Sequence, residues 1–326
     1  MSVPQAMTPQ PTGSRFAGAA RRPGVSALLF MAPALVLLFL FLVVPMVWTI
    51  ALSFNSGRGL RFHSDQWVGF EHYVRLFTQD RSFLDLRDLS GIFVGESGAL
   101  VNNIIWVVLY TSLCLLFGLV IAVLAARVRY EAIVKAVIFV PMAISATAVA
   151  LIWLFVYSPD TNQGVLNAAI QAINSGFTPI SWVGKRETVN YAIIAAYVWA
   201  SAGFAMVVLS AALKGISQEV IEAARTDGAT EWDIFRRIQL PLLSLPISVV
   251  TVWLLINVIK LFDLIYIATA GGPNGQSRVI GYFMFTETFE GGRYGYGSAI
   301  AVVMLLLIIP IMAFNIKRFR SEAVQG

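Results

Sequence analysis

Six long apolar segments, separated by shorter polar connections, dominate the sequence. They cover residues 26–53, 100–126, 134–157, 191–214, 242–269 and 297–316. Each is close to or longer than the roughly 20 apolar residues that a helix needs to cross a bilayer. Because runs such as ALVLLFLFLVV and AIAVVMLLLIIP lack the alternation of a barrel strand, the pattern predicts helices. We therefore expect an all-α polytopic membrane protein with six transmembrane helices.

The composition supports a membrane location. Apolar residues make up 58% of the chain and charged residues 13%, and the mean hydropathy is +0.75. These values exclude an ordinary water-soluble domain. The N-terminal stretch differs, because it holds Pro4, Pro9 and Pro11 but little apolar content. We expect residues 1–22 to form a disordered cytoplasmic tail and residues 23–326 to form one transmembrane domain.

The placement of Lys and Arg predicts the orientation of the spans. If the N-terminus lies in the cytoplasm, the connections around Arg127 and Lys214 and the end near Lys317 also lie there, and this side is the richer in Lys and Arg. Both termini are therefore predicted to be cytoplasmic. The net charge of +5 follows from this topology, so a nucleic-acid partner is not expected.

The sequence shows no pattern typical of a catalytic or metal site. Cys114 is the single cysteine, so it is predicted to be a small packing residue without a disulfide. His63 and His72 both fall in the first external loop and are too sparse for a metal site. The chain also lacks a Gly-x-x-x-x-Gly-Lys-Ser/Thr phosphate loop. It is therefore predicted not to be an enzyme, and any ATP would have to be bound by a partner.

The external loops are predicted to be partly structured. Residues 55–98 mix Trp67 and Phe70 with charged side chains, which favours a small packed cap. Residues 158–190 contain a short helix-like stretch between turn signals. The run GGPNG at 271–275 predicts a tight turn after the fifth span.

The polar connection over residues 215–241 has the pattern of a soluble docking element. Residues 218–226 favour a helix, and Gly228 then supplies a turn. Residues 231–240 predict a second helix with apolar positions at helical spacing, and Pro241 is expected to end it. A short, stiff pair of helices between two spans is suited to transmit movement from a partner.

The sequence EAARTDGATEWDIFRRIQLPLLSLP at residues 222–246 resembles the EAA loop of importer-type ABC permeases. The matching positions are Glu222, Ala223, Ala224, Asp227, Gly228, Ala229, Phe235, Ile238, Leu240, Pro241 and Pro246. Further stretches resemble the same family, among them VGFEHYVRLF, IFVPMAISATAVALIW and FDLIYIATAGGP. The chain is similar to the maltose and α-glucoside branch of carbohydrate importers. This resemblance implies the type I ABC importer permease fold.

The resemblance also implies an assembly and a mechanism. The expected partners are a second, different permease subunit, a dimer of ATPase subunits that bind ATP and Mg²⁺, an extracytoplasmic sugar-binding protein and membrane lipid. The expected location is the bacterial inner membrane, and the expected mechanism is alternating access. The residues implied to couple this chain to the ATPase are Glu222, Ala223, Ala224, Asp227, Gly228, Ala229, Phe235, Leu240 and Pro241.

The fifth predicted span carries polar residues that suggest a path for the solute. Asn257, Lys260, Asp263 and Tyr266 are spaced three residues apart, and polar groups at membrane depth face the protein interior by default. Lys260 and Asp263 could instead form a neutralising pair that joins helices. Aromatic rings for stacking on a sugar are available at Trp253, Trp199, Tyr197 and Phe204, although such residues also anchor spans at the membrane interface.

Two other functions remain open at this point. A polyol or a glycerol phosphate could replace the sugar as cargo, but an anionic cargo would favour cationic groups, and only Lys260 lies at membrane depth. A secondary transporter would use ion-coupling groups instead of an ATPase dock. The spans show no convincing inverted repeat, which argues against that class.

Overall fold

A computed structural model describes residues 23–57, 59–87, 93, 95 and 97–325. The predicted tail over residues 1–22 lies outside the described residues. The chain divides into two compact units, residues 1–48 and 49–326. In the first unit the described residues form α1 (Pro23–Leu38), a π-helical turn (Phe39–Val43) and the beginning of α2 (Val44–Leu52).

The second unit is built from helices. These are α3 (Glu71–Thr78), α4 (Ala99–Ala125), α5 (Glu131–Phe139), α6 (Ala146–Val156), α7 (Val165–Ile173), α8 (Val189–Lys214), α9 (Gln218–Thr226), α10 (Glu231–Ile234), α11 (Leu240–Leu242), α12 (Ser244–Ile259), α13 (Asp263–Thr269), α14 (Ile280–Phe285) and α15 (Tyr294–Gln325). Shorter turns are 3-10 helices at Ser64–Gln66 and Val140–Ala143 and π-helices at Phe235–Gln239 and Thr286–Glu290. The described residues contain one isolated β-bridge and no β-strand, as the all-α prediction requires.

Within the described residues, four helical stretches are long and apolar enough to cross a membrane unbroken. They are Phe30–Leu52, Ala99–Ala125, Val189–Lys214 and Tyr294–Arg318. Two bent helix pairs are also long and apolar enough when taken together, Glu131–Ala143 with Ala146–Val156 and Glu231–Leu242 with Ser244–Ile259, and they bend by 102° and 63°. The number of spans is six if each bent pair crosses once. The predicted bounds of the four unbroken spans agree with the structure to within a few residues.

The third and fifth predicted spans are interrupted helices in the structure. The segment 134–157 breaks at Ile144, which is extended, and Ser145 begins α6 by accepting a hydrogen bond from the Ala148 amide. Pro141 contributes to the break because it cannot donate a backbone hydrogen bond. The segment 242–269 is interrupted at Leu243 and again between Ile259 and Asp263.

Pro241 does not end its helix as predicted. α11 continues through Leu242, and the bend follows at Leu243. The proline lies within the first two positions of this short helix, where a missing amide hydrogen is tolerated.

The core lies where α4 and α8 pack against each other. A Cβ atom added at Gly118 would lie 2.5 Å from the Ala205 Cβ, so the two backbones are in close contact. Trp106, Tyr110 and Cys114 of α4 are fully buried in this interface. Cys114 is therefore a packing residue, as predicted.

The two segments predicted to be external loops are packed. Phe54 stacks on Trp67 with 5.3 Å between ring centroids and also contacts the rings of Phe70 and Tyr73. In the second loop, the buried side chain of Asn167 accepts hydrogen bonds from the Ile180 amide and the Trp182 indole.

Candidate functional site: coupling segment and solute path

We call residues 215–241 the coupling segment. Its first helix, α9, begins at Ser217, whose hydroxyl accepts a hydrogen bond from the Glu219 amide at 3.2 Å. Its end has the pattern of a Schellman turn. The Gly228 amide donates to the Arg225 carbonyl, and the Ala229 amide donates to the Ala224 carbonyl, both at 3.0 Å.

Gly228 adopts a φ of +85°, a conformation in which residues with a Cβ atom are strained. An added Cβ atom would meet no atom within 4 Å. The glycine is therefore required by its backbone conformation, and the space around the turn is open to a partner.

The second helix of the coupling segment has its own cap and is joined to the first helix by an ion pair. Thr230 and Asp233 form a capping box, in which the Thr230 hydroxyl accepts from the Asp233 amide and the Asp233 carboxylate accepts from the Thr230 amide. The Arg225 side chain donates to the Glu231 carboxylate at 2.9 Å, which joins α9 to α10 across the turn. Ile221 and Ile234 are buried, one in each helix.

The residues predicted for ATPase coupling lie mainly on the open side of this pair. Glu222, Ala223, Asp227, Gly228 and Pro241 are exposed, and Ala224, Ala229, Phe235 and Leu240 are half-buried. Trp232, next to this set, is 65% exposed and contacts the Phe235 ring. Tryptophan is among the residue types that most often anchor protein interfaces.

Sequence reasoning missed a group of charged residues beside the coupling segment. Glu131, at the start of α5, forms ion pairs with Lys135 of its own helix and with Lys214, the last residue of α8, whose Nζ lies 2.8 Å from the carboxylate. Arg127, in the α4–α5 turn, lies 3.6 Å from the Glu231 carboxylate. No spacing rule connects residues so far apart in sequence. The one local signal is the i, i+4 pair of Glu131 and Lys135.

The polar residues of the predicted solute path lie around the second interruption of the fifth span. Lys260, Asp263 and Tyr266 are exposed in the isolated chain, and Asn257 is half-buried. The Asn257 side-chain amide donates to the Trp253 carbonyl of its own helix at 2.8 Å. The structure does not form the predicted ion pair between Lys260 and Asp263 within the described residues. The break places them on separate helices, so the predicted regular spacing does not hold across it.

The aromatic candidates fall into separate groups. Trp253 contacts Phe204 of α8 with 4.1 Å between centroids, and this pair adjoins Asn257 through the hydrogen bond to the Trp253 carbonyl. Trp199 contacts Trp153 of α6 at 5.8 Å. Tyr266 contacts Phe262 and Phe285. Tyr197 stacks on the buried Tyr110 at 4.7 Å, which places it in the core between helices.

Buried amides, absent from the sequence predictions, hold the interrupted region in place. The Asn103 side chain accepts a hydrogen bond from the Ile280 amide at 2.7 Å and donates to the Val258 carbonyl at 3.2 Å. The Asn102 amide donates to the Gln276 and Arg278 carbonyls at 3.1 and 2.8 Å. Backbone amides and carbonyls near a helix break lack some of their partners within a helix. Side chains of α4 supply hydrogen bonds to such atoms here.

These features define a polytopic helical membrane protein with an exposed helical coupling segment and a broken fifth span. Residues 114–316 match the family described as the inner membrane component of binding-protein-dependent transport systems. The chain belongs to this family. The predicted resemblance is thereby confirmed, and the chain is a membrane component of such a transport system.

Comparison with individual proteins also finds permease proteins. The chain is 41% identical to the osmoprotective compounds uptake permease protein GgtC of Synechocystis sp. over 90% of this chain and 99% of that protein. It is 38% identical to the α-glucoside transport system permease protein AglF of Rhizobium meliloti, covering 90% of this chain and 82% of that protein. A crystal structure of a bacterial ABC transporter that imports alginate superposes with a TM-score of 0.74 at 23% identity, covering 92% of this chain and 96% of that one. This match confirms the predicted fold.

Proposed function

We propose that this chain is one of two permease subunits of an ATP-driven importer that carries a neutral sugar of the α-glucoside type into a bacterial cell. The observation that carries the proposal is the coupling segment. It is a capped helix pair, and most of the residues that resemble an ATPase dock are exposed on it. Family membership supports the same assignment.

The cargo assignment is supported by the chemistry of the solute path. Lys260 and Asp263 carry opposite charges, so the exposed polar residues of the break have no net charge. Neutral hydroxyl groups are matched by the Asn257 amide and the Tyr266 hydroxyl, and the Trp253 ring offers a face for sugar stacking. The 38% identity to a permease named for α-glucoside transport agrees with this cargo.

The proposed assembly contains a second permease, two ATPase subunits that bind ATP and Mg²⁺, and an extracytoplasmic sugar-binding protein. Both termini and the coupling segment then lie on the cytoplasmic side of the inner membrane. Exposed apolar side chains such as Leu116 and Val120 face lipid or the second permease. Closure of the ATPase pair would move the coupling segment as a rigid body. The spans attached to it would then change between inward-open and outward-open arrangements.

A second cargo class has its own support. The 41% identity to a permease for osmoprotective compounds extends over 99% of that protein. Small neutral polyols fit the same uncharged path. A glycerol phosphate is anionic, and among the predicted path residues Lys260 alone is cationic and could match its charge. The two cargo classes share chemistry, so a transport measurement must separate them.

The test is uptake by the purified assembly in proteoliposomes. The tagged chain is purified in mild detergent from its native host with its partners, reconstituted, and supplied with ATP on the ATPase side. The expected result is ATP-dependent uptake of a labelled α-glucoside such as maltose, and little uptake of glycerol phosphate. Uptake of a polyol in preference to every α-glucoside would assign the second cargo class. Purification of the chain without an ATPase, with uptake driven by an ion gradient, would overturn the importer assignment.

A further inference from the structure

We propose that α5 is a lever that carries movement of the coupling segment to the solute path, and that Glu131 is the positioning residue that attaches this lever. The proposal rests on the function proposed above and adds a route of transmission. The coupling segment is joined covalently only to α8 and, through α10 and α11, to α12. The lever would bring the α4–α5 turn and α6 into the same movement.

The attachment is ionic and lies at two places, the start of the coupling segment and the beginning of its second helix. Glu131 pairs with Lys214, which immediately precedes the segment, and its side chain is 20% exposed. Arg127 in the preceding turn approaches Glu231 within the segment at 3.6 Å. An exposed ion pair such as the second contributes little alone. The first is better sheltered, and Lys135 holds the Glu131 carboxylate in place from its own helix.

The far end of α5 contacts the helix that carries Trp199. A Cβ atom added at Gly203 of α8 would lie 2.6 Å from the Ile138 carbonyl oxygen, so α5 rests directly on the α8 backbone at this point. The 3-10 turn and the break at Ile144 follow immediately. A helix supported near one end and held by an ion pair at the other has the geometry of a lever with its pivot at Gly203.

Beyond the break, α6 contacts both sides of the predicted path. Trp153 of α6 packs edge-on against Trp199 of α8 at 5.8 Å. Ala150 of α6 shares a buried cluster with Leu264 and Ile265 of α13, the helix that begins with Asp263. Because the two halves of the span meet at 102° and not in one continuous helix, their angle can change without breaking a row of helical hydrogen bonds. A shift of α5 would therefore move the groups around Trp199 and Asp263.

The ion pair of Glu131 and Lys214 allows a charge-swap test. Glu131→Lys and Lys214→Glu each place like charges together. The double variant restores opposite charges at positions 131 and 214, with the acid now on α8. Transport and ATP hydrolysis are measured per assembled complex in proteoliposomes, and the readout is cargo moved per ATP hydrolysed. We expect each single variant to lower this ratio about fivefold, because like charges then repel where opposite charges had joined α5 to the end of α8. The double variant should recover most of the wild-type ratio.

Lys317→Glu is the matched control, because Lys317 is exposed, lies on the same predicted side and makes no ion pair with the described residues. Its ratio should equal that of the wild type. Single variants that reduce the amount of complex but leave cargo per ATP unchanged would overturn the lever and leave Glu131 a structural residue. A double variant as uncoupled as the single ones would also overturn it. If the wild-type complex itself shows no ATP-dependent uptake, the proposed function fails, and the lever fails with it.

Discussion

Replacing Asn103 by Leu tests whether the buried amide of α4 holds the interrupted fifth span. Asn103 is 4% exposed, and its side chain serves the Ile280 amide and the Val258 carbonyl. The Ile280 amide lies in the first turn of α14 and has no partner within its helix. The Val258 carbonyl keeps a second bond from the Leu261 amide at 3.1 Å. The substitution therefore leaves one buried group fully unpaired and weakens another.

The expected loss is about 1–4 kcal/mol, the sum of about 1–3 kcal/mol for an unpaired buried donor and up to about 1 kcal/mol for a lost second bond. At about 2–3 °C per kcal/mol for a chain of this size, that corresponds to a fall of about 2–12 °C in the midpoint of thermal unfolding. The measurement is the fraction of monodisperse protein after heating in detergent, read by size-exclusion chromatography.

Asn257→Leu is the matched control, because it makes the same substitution at a less buried amide. Its amide donates to a carbonyl of its own helix, and the side chain is half-buried, so we expect a change in midpoint below about 2 °C. At a temperature where both variants are folded, Asn257→Leu should lower the transport rate more than Asn103→Leu, because Asn257 belongs to the predicted solute path. Equal loss of stability in both variants, or an unchanged midpoint in Asn103→Leu, would refute the reasoning.

Three further predictions follow from the coupling segment and the core. Asp227→Arg and Gly228→Pro should each uncouple ATP hydrolysis from uptake while membrane insertion is retained; wild-type uptake in both would contradict the docking role. Gly118→Ala should destabilise the protein by about 1–3 kcal/mol through overpacking, measured by thermal unfolding. Gly215→Ala, where the nearest atom is at 3.4 Å, should cost less, and an equal loss would count against close packing at position 118. Thr230→Ala should cost the second coupling helix about 1 kcal/mol and increase protease cleavage there, whereas Thr230→Ser should not; equal cleavage would exclude the cap.

The long spans and the coupling turn could be predicted from local sequence. Uniform apolarity over the length of a membrane suffices for α4 and α8, whose predicted bounds agree closely with the structure. Gly228 was predictable because a positive φ depends on the residue itself and its immediate neighbours. The capping box was also readable, as Thr230 and Asp233 have the required spacing, although the prediction did not use it.

The breaks and the charged contacts could not be predicted in this way. The apolar residues of 134–157 continue across Ile144 without a change in composition, so hydropathy cannot show that the helix turns there. The partners of Asn103 are more than 150 positions away in the sequence. Glu131 and Lys214 are likewise joined only by the fold. Such contacts depend on which helices lie side by side, which one sequence does not state.

The two bent spans share a feature that the unbroken spans lack. Each begins at a carboxylate that is ion-paired at the coupling segment, Glu131 in one and Glu231 in the other. Changing the length or angle of an unbroken helix breaks backbone hydrogen bonds in a membrane, where they cannot be replaced by water. A span already interrupted at Ile144 or Leu243 can change its angle at far lower cost. We therefore expect movement during transport to concentrate at the bent spans.

Spin-label distances can test this expectation in the assembled transporter after Cys114 is replaced by Ser. One pair of labels spans the break, at the exposed positions Ile133 and Phe155, and the control pair lies within unbroken α4, at Ile104 and Leu124. The control pair is separated by 20 residues, about 30 Å along a helix. On trapping the ATP-bound state, the distance across the break should change by several ångströms and the control distance should stay constant. Equal constancy of both distances would show that the bend at Ile144 is a fixed feature of the fold, and the movement would then have to be carried by α8 and α12 alone.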